Sequence, residues 1–113
     1  MNFKHIYKII DKNEWRKVKD VGPYLGSKKD IEDGFIHFSS EEQVEGTLKK
    51  YYSNQNDLIL LKVDTLKLDN LIWEQASDGN MFPHLYSSLE VNNVIEEFKI
   101  SIKNEKHILP VNF

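Results

Sequence analysis

The hydrophobic positions of this chain change their period along its length. Residues 3–10 alternate, with Ile6, Lys8 and Ile10 on one side and Tyr7 and Ile9 on the other, which predicts a first strand. Asp11 followed by Glu14 has capping-box spacing, so a helix is expected over residues 12–20, stopped by Gly22-Pro23. Residues 21–33 contain Gly22, Pro23, Gly26 and several charges, and read as a long loop suited to a functional role. Gly34 opens a second strand over 35–38. Ser40 with Gln43 repeats the capping spacing ahead of a helix over 41–53, whose apolar stripe is Val44, Leu48, Tyr51 and Tyr52. After a turn at 54–57, residues 58–63 are almost continuously apolar, as in a strand buried on both faces in mid-sheet. A turn-like stretch at 66–71, a strand at 72–74, a loop at 76–81 and a short strand at 84–86 follow. A turn at 91–94 leads into an alternating strand at 95–102. The order β, α, β, α and then mostly β predicts an α+β fold with two N-terminal helices and an antiparallel-rich sheet.

Composition narrows the possibilities. A chain of 113 residues makes one domain, residues 1–113, with a core large enough to need no crosslinks. Trp15, Trp73, Phe35, Phe38 and Phe98 are its expected aromatic members, while Tyr51, Tyr52 and Phe82 are candidates for a cleft wall. The absence of cysteine excludes disulfides, thiolate nucleophiles and cysteine-ligated metals. The net charge is -3 and the Lys and Arg residues are dispersed, so broad nucleic-acid binding is not expected. No run approaches the roughly 20 apolar residues that span a bilayer, and no N-terminal stretch has signal-peptide character. A cytoplasmic location without membrane contact is expected. The glycines do not form a G-x-G-x-x-G or P-loop spacing.

Two short motifs carry the candidate chemistry. Gly34-Phe35-Ile36-His37-Phe38-Ser39 and Phe82-Pro83-His84-Leu85-Tyr86 each set a histidine in an apolar run with a hydroxyl two positions later. In a strand, His37 and Ser39 share a face, as do His84 and Tyr86. One half-buried histidine bonded to a carbonyl is ordinary; two similar motifs in one small domain point to a site, because imidazole exchanges protons near neutral pH. Glu74 follows Trp73, and if the indole faces the core the carboxylate faces outward or into a cleft. A metal triad of His37, His84 and Glu74 lacks the spacing of a local metal motif, so no metal is expected. A Ser39, His37 and Asp78 triad can be drawn, but no nucleophile elbow supports it.

The order and spacing of Ile6-Tyr7-Lys8-Ile9, Glu14-Trp15, the two histidine motifs, Asp57-Leu58-Ile59-Leu60-Leu61-Lys62-Val63-Asp64 and Leu71-Ile72-Trp73-Glu74 closely resemble the DUF952 family of small bacterial proteins. The resemblance covers residues 6–98 and leaves 104–113 as a tail, expected to pack against the body or a neighbour. It implies a split-sheet fold like that of ADP-ribosyltransferases, with distant kinship to RNA 2'-phosphotransferases. It also implies a small nucleotide ligand, NAD or ADP-ribose, in a cleft between the sheet halves. Where members of the family often carry histidine in the first strand, this chain has Lys8, a point charge for a phosphate or ribose oxygen. His5 points to the opposite face from Lys8 and cannot replace it. The implied activity is transfer or hydrolysis of an ADP-ribosyl or phosphoribosyl group. His37, His84 and Glu74 are its catalytic candidates, and Lys8, Ser39 and Tyr86 its ligand contacts. The alternative is a non-catalytic module that binds a nucleotide or a partner in the same cleft.

Overall fold

Strand β1 (His5–Asp11) ends at Asp11, which caps α1 (Lys12–Val21), its carboxylate accepting the N–H groups of Asn13 and Glu14 at 3.0 and 3.1 Å. The expected aspartate cap is formed, without the return bond from Glu14 that completes a capping box. These features belong to a computed structural model that describes residues 4–113, so the expected strand start at Phe3 lies outside the described residues. Residues 21–33 are not a loop throughout, because α2 (Lys28–Asp33) occupies their second half. It is short and lacks a buried apolar stripe. Its start is fixed instead by a capping box, in which Ser27 Oγ accepts the Asp30 N–H at 3.2 Å and Asp30 Oδ2 accepts the Ser27 N–H at 2.8 Å. With α3 (Val44–Tyr51), reached through a 3₁₀ turn at Glu41–Gln43, three α-helices lie among the described residues where two were expected.

The remaining strands are β2 (Ile36–His37), β3 (Leu58–Asp64), β4 (Leu71–Gln75), β5 (Met81–Leu85), β6 (Val94–Lys103) and β7 (Lys106–Ile108). Met81 and Phe82 thus belong to β5, and Tyr86 follows that strand. The strands form two antiparallel sheets, one ordered β1-β3-β6-β7 and the other β2-β5-β4. This is a mixed α+β architecture. β3 runs between β1 and β6, as its apolar run predicts, and is buried on both faces.

Alternation along β1 and β3 divides the interior in two. Ile6, Ile10, Ile59, Leu61 and Val63 join Trp15 and Val18 of α1, Ile36, Phe38 and Leu85, filling the space between the two sheets. Tyr7, Ile9, Leu58 and Leu60 face the other way, under Val44 and Leu48 of α3. Leu109 and Phe113 close that second cluster, the Phe113 ring standing edge-on to Tyr7 at 5.3 Å. The C-terminal tail therefore packs on the body after a hairpin through β7. Trp73 is partly buried against the first cluster and Phe98 against the second. Phe35 is the exception among the expected core aromatics, since alternation places it on the opposite face from Ile36. Among the described residues, no helix is long and apolar enough to cross a membrane.

Candidate functional site

The two sheets meet at one point, where Tyr7 and Ser39 exchange backbone hydrogen bonds of 2.7 and 2.8 Å. Beyond that bridge β1 and β2 no longer pair, and side chains span the gap. Lys8 of β1 donates to Asp30 Oδ2 at 2.8 Å, and Asp30 Oδ1 meets Nδ1 of His37 at 2.5 Å and accepts the His37 backbone N–H at 3.2 Å. With the Ser27 N–H, Asp30 receives four bonds while only 2% exposed. Burial alone would raise its carboxyl, but the His37 bond, the Lys8 charge and the Ser27 N–H outweigh this and hold it well below the usual carboxylate range. Lys8 is equally enclosed, and burial pulls its ammonium down against the restoring pull of Asp30. Gly26 permits the approach: its φ is +115° and a Cβ there would lie 2.7 Å from Asp30 Cβ.

His37 is held at its other nitrogen too, with Nε2 3.0 Å from Asp33 Oδ2. Both ring nitrogens thus face carboxylates of α2. His84 lies directly across the β2–β5 ladder from His37, the ring centroids 5.5 Å apart. Its Nδ1 is 2.8 Å from Glu74 Oε1, on the same face of neighbouring β4, and the Tyr86 hydroxyl donates to that same oxygen at 2.6 Å. The Tyr86 and His84 bonds lower the Glu74 carboxyl, and donation to it raises Tyr86. Because a carboxylate only accepts, Nδ1 is assigned the proton and Nε2 is left without a partner among the described residues. Phe35 stacks on His84 with centroids 3.9 Å apart and touches the rings of His37 and Tyr86, so it fixes the imidazoles.

His37 and His84 stand on the wall of a cleft of about 1190 Å³ between the diverging strands, α2, α3 and the β4–β5 hairpin. Tyr7, Tyr52, Trp73 and Phe82 give it aromatic surface, and Tyr51 stands at its margin. Burial pushes the Tyr52 hydroxyl up to about 12. Ser39 also lines the cleft; its hydroxyl lies 3.0 Å from Thr47 Oγ1, which donates to the Gln43 carbonyl, so Ser39 is the donor to Thr47. Glu74 and Tyr86 act from behind His84, outside the cleft lining. Gln43 ties the two sides together, accepting the Ser40 N–H at 3.0 Å and donating to the Met81 carbonyl at 2.7 Å.

A family model described as "Protein of unknown function (DUF952)" matches residues 9–97. The chain belongs to the DUF952 family. It is similar to protein CC0527 from Caulobacter crescentus, whose crystal structure matches with a TM-score of 0.86 at 38% identity, over 91% of each chain. A double mutant of CC0527 gives the same values. The solution NMR structure of CC0527 gives a TM-score of 0.82 at 38% identity, covering 93% of this chain and 91% of that one. No curated protein matches the chain.

In this DUF952 protein five of the six residues singled out in the sequence fall into two groups. Lys8 and His37 meet through Asp30, while His84, Glu74 and Tyr86 bond directly; Ser39 stands apart on Thr47. Among the described residues no three or more histidine and carboxylate side chains are placed to hold a metal ion, so the triad of His37, His84 and Glu74 does not form. Nor does the Ser39, His37 and Asp78 triad, since Asp78 bonds the Asn80 N–H on the β4–β5 turn and His37 is taken by Asp30 and Asp33. Asp30, Asp33 and Phe35 escaped the sequence reading of the site. The signal for Asp30 was Ser27-x-x-Asp30, a capping spacing hidden in a glycine- and proline-rich stretch.

Proposed function

We propose that the cleft takes an ADP-ribosyl or phosphoribosyl group, with NAD or ADP-ribose as the simplest ligands. On this reading the two sheets form an ADP-ribosyltransferase-like fold and the protein transfers or hydrolyses the group. The observation that carries this reading is His84, on the cleft wall, tied through Nδ1 to Glu74 with Nε2 uncommitted. A carboxylate behind an imidazole fixes its tautomer and favours the imidazolium that forms when the ring takes a proton. In hydrolysis of the nicotinamide–ribose bond of NAD, the C–N electron pair leaves with nicotinamide and the water oxygen bonds the ribosyl carbon. The water proton then passes to His84 Nε2. Developing positive charge on the sugar is favoured by nearby carboxylates, of which Asp33 lines the cleft and Glu74 lies behind His84. The aromatic lining suits the flat faces of the ligand, the Ser39 oxygen suits a ribose hydroxyl, and Lys8 serves through Asp30 and His37.

The second reading, a nucleotide- or partner-binding module without turnover, draws on the same geometry. Lys8 and both nitrogens of His37 are already satisfied inside the protein, so of the two histidines His84 alone keeps a ring nitrogen without a partner among the described residues. Nicotinamide release from NAD decides between them. Release by the wild type, slowed roughly 10²-fold or more in Glu74→Gln, is expected for the enzyme. Saturable nucleotide binding with no product over a long incubation assigns the module, and equal turnover in Glu74→Gln contradicts the His84–Glu74 pair.

A further inference from the structure

Lys29 of α2 and Lys50 of α3 bring their ammonium groups to the same ring at the margin of the cleft. Lys29 Nζ lies 5.9 Å and Lys50 Nζ 5.3 Å from the centroid of Tyr51, which is 54% exposed. A tyrosine face attracts a cation weakly at an exposed site, and a ring within reach of two ammonium groups marks a positive stretch of the cleft rim. The carboxylates nearby are largely spoken for. Asp33 lies 3.4 Å from Lys29 but 3.0 Å from His37 Nε2, and Asp30 is enclosed with Lys8. Lys50 makes no ion pair among the described residues, although Asp78 across the mouth feels its charge. Both lysines and Tyr51 belong to the lining of the cleft that also holds His84, so an anion bound by the ammonium groups would lie at its mouth.

We propose that Lys29 and Lys50, at the cleft rim beside Tyr51, form an anion subsite for the phosphate or pyrophosphate group of the cleft's ligand. This inference rests on the nucleotide reading above and adds to it an orientation: the phosphates lie at the α2–α3 rim and the ribosyl carbon lies inward, towards His84. An anion there gains charge-assisted hydrogen bonds from the ammonium groups, and its affinity falls as salt screens the exposed charges.

Calorimetric titrations of wild type and of the Lys29→Gln, Lys50→Gln double variant with ADP-ribose, adenosine and inorganic pyrophosphate test it. The double variant removes two exposed side chains and is expected to keep the wild-type melting curve. ADP-ribose should bind the double variant roughly tenfold more weakly, with a flatter salt dependence, while adenosine should bind both proteins alike. Equal affinity of both proteins for ADP-ribose overturns the subsite and leaves the nucleotide reading standing. If neither ADP-ribose nor adenosine binds the wild type, the nucleotide reading falls, and pyrophosphate alone decides the subsite. Salt-sensitive pyrophosphate binding lost in the double variant then supports it, and none in the wild type overturns it.

Discussion

Lys8→Met is expected to cost roughly 3–5 kcal/mol of folding stability, because it leaves the Asp30 carboxylate buried without its counter-charge. Asp30 is 2% exposed and Lys8 4%, so neither can turn to water without opening the wedge between β1 and β2. Domains of this kind are stable by only about 5–15 kcal/mol, so the single variant approaches the unfolding threshold. Removing both charges together, as in Lys8→Met with Asp30→Leu, should recover only part of the loss, since no uncompensated ion remains but the Ser27 and His37 N–H groups lose their acceptor. Urea denaturation of the three proteins measures this. Acid adds a second handle. The Asp30 carboxyl is lowered in the folded protein, so its stabilisation is complete above the unfolded carboxylate value of about 4 and fades as pH falls below it. The stability gap between wild type and Asp30→Asn should therefore be widest near neutrality and narrow below about pH 4. A gap that widens in acid would contradict the assignment.

His84→Ala should slow nicotinamide release by roughly 10² to 10⁴-fold while leaving the fold nearly as stable. Its removal frees Glu74, a partly exposed carboxylate that water can solvate. His37→Ala is expected to behave differently, because it withdraws a bond from the buried side of Asp30 and uncouples α2 from β2. On the proposed function the two histidines, alike in the sequence, divide the work: His84 for proton transfer and His37 for holding α2 to β2. Turnover and urea unfolding measured on each variant separate the roles. A large activity loss in His37→Ala with unchanged stability, and the reverse in His84→Ala, would invert the assignment.

Elements with a repeating pattern were legible in the sequence. The apolar run of β3 marked a strand buried on both faces, Asp11 marked the start of α1, and alternation placed Glu74 opposite Trp73. The histidine pairs were legible for the same reason, since period two decides which side chains share a face. α2 was not. Its one large apolar residue, Ile31, is 64% exposed, so no periodicity announces a helix held by a cap and by the bonds of Asp30. Phe35 was misread because aromatic size suggested core, although the alternation that pairs His37 with Ser39 also puts Phe35 on their face. The splitting of the strands into two sheets depends on pairings between distant segments, such as β2 with β5, and local pattern carries no record of them.

On the proposed function, a nucleotide binds in the cleft walled by His37 and His84. Calorimetric titration of NAD and ADP-ribose into the wild type and the His37→Ala, His84→Ala double variant tests it most directly. Saturable binding by the wild type that the folded double variant loses is the expected result. Absence of binding by the wild type, or equal binding by both proteins, would contradict it.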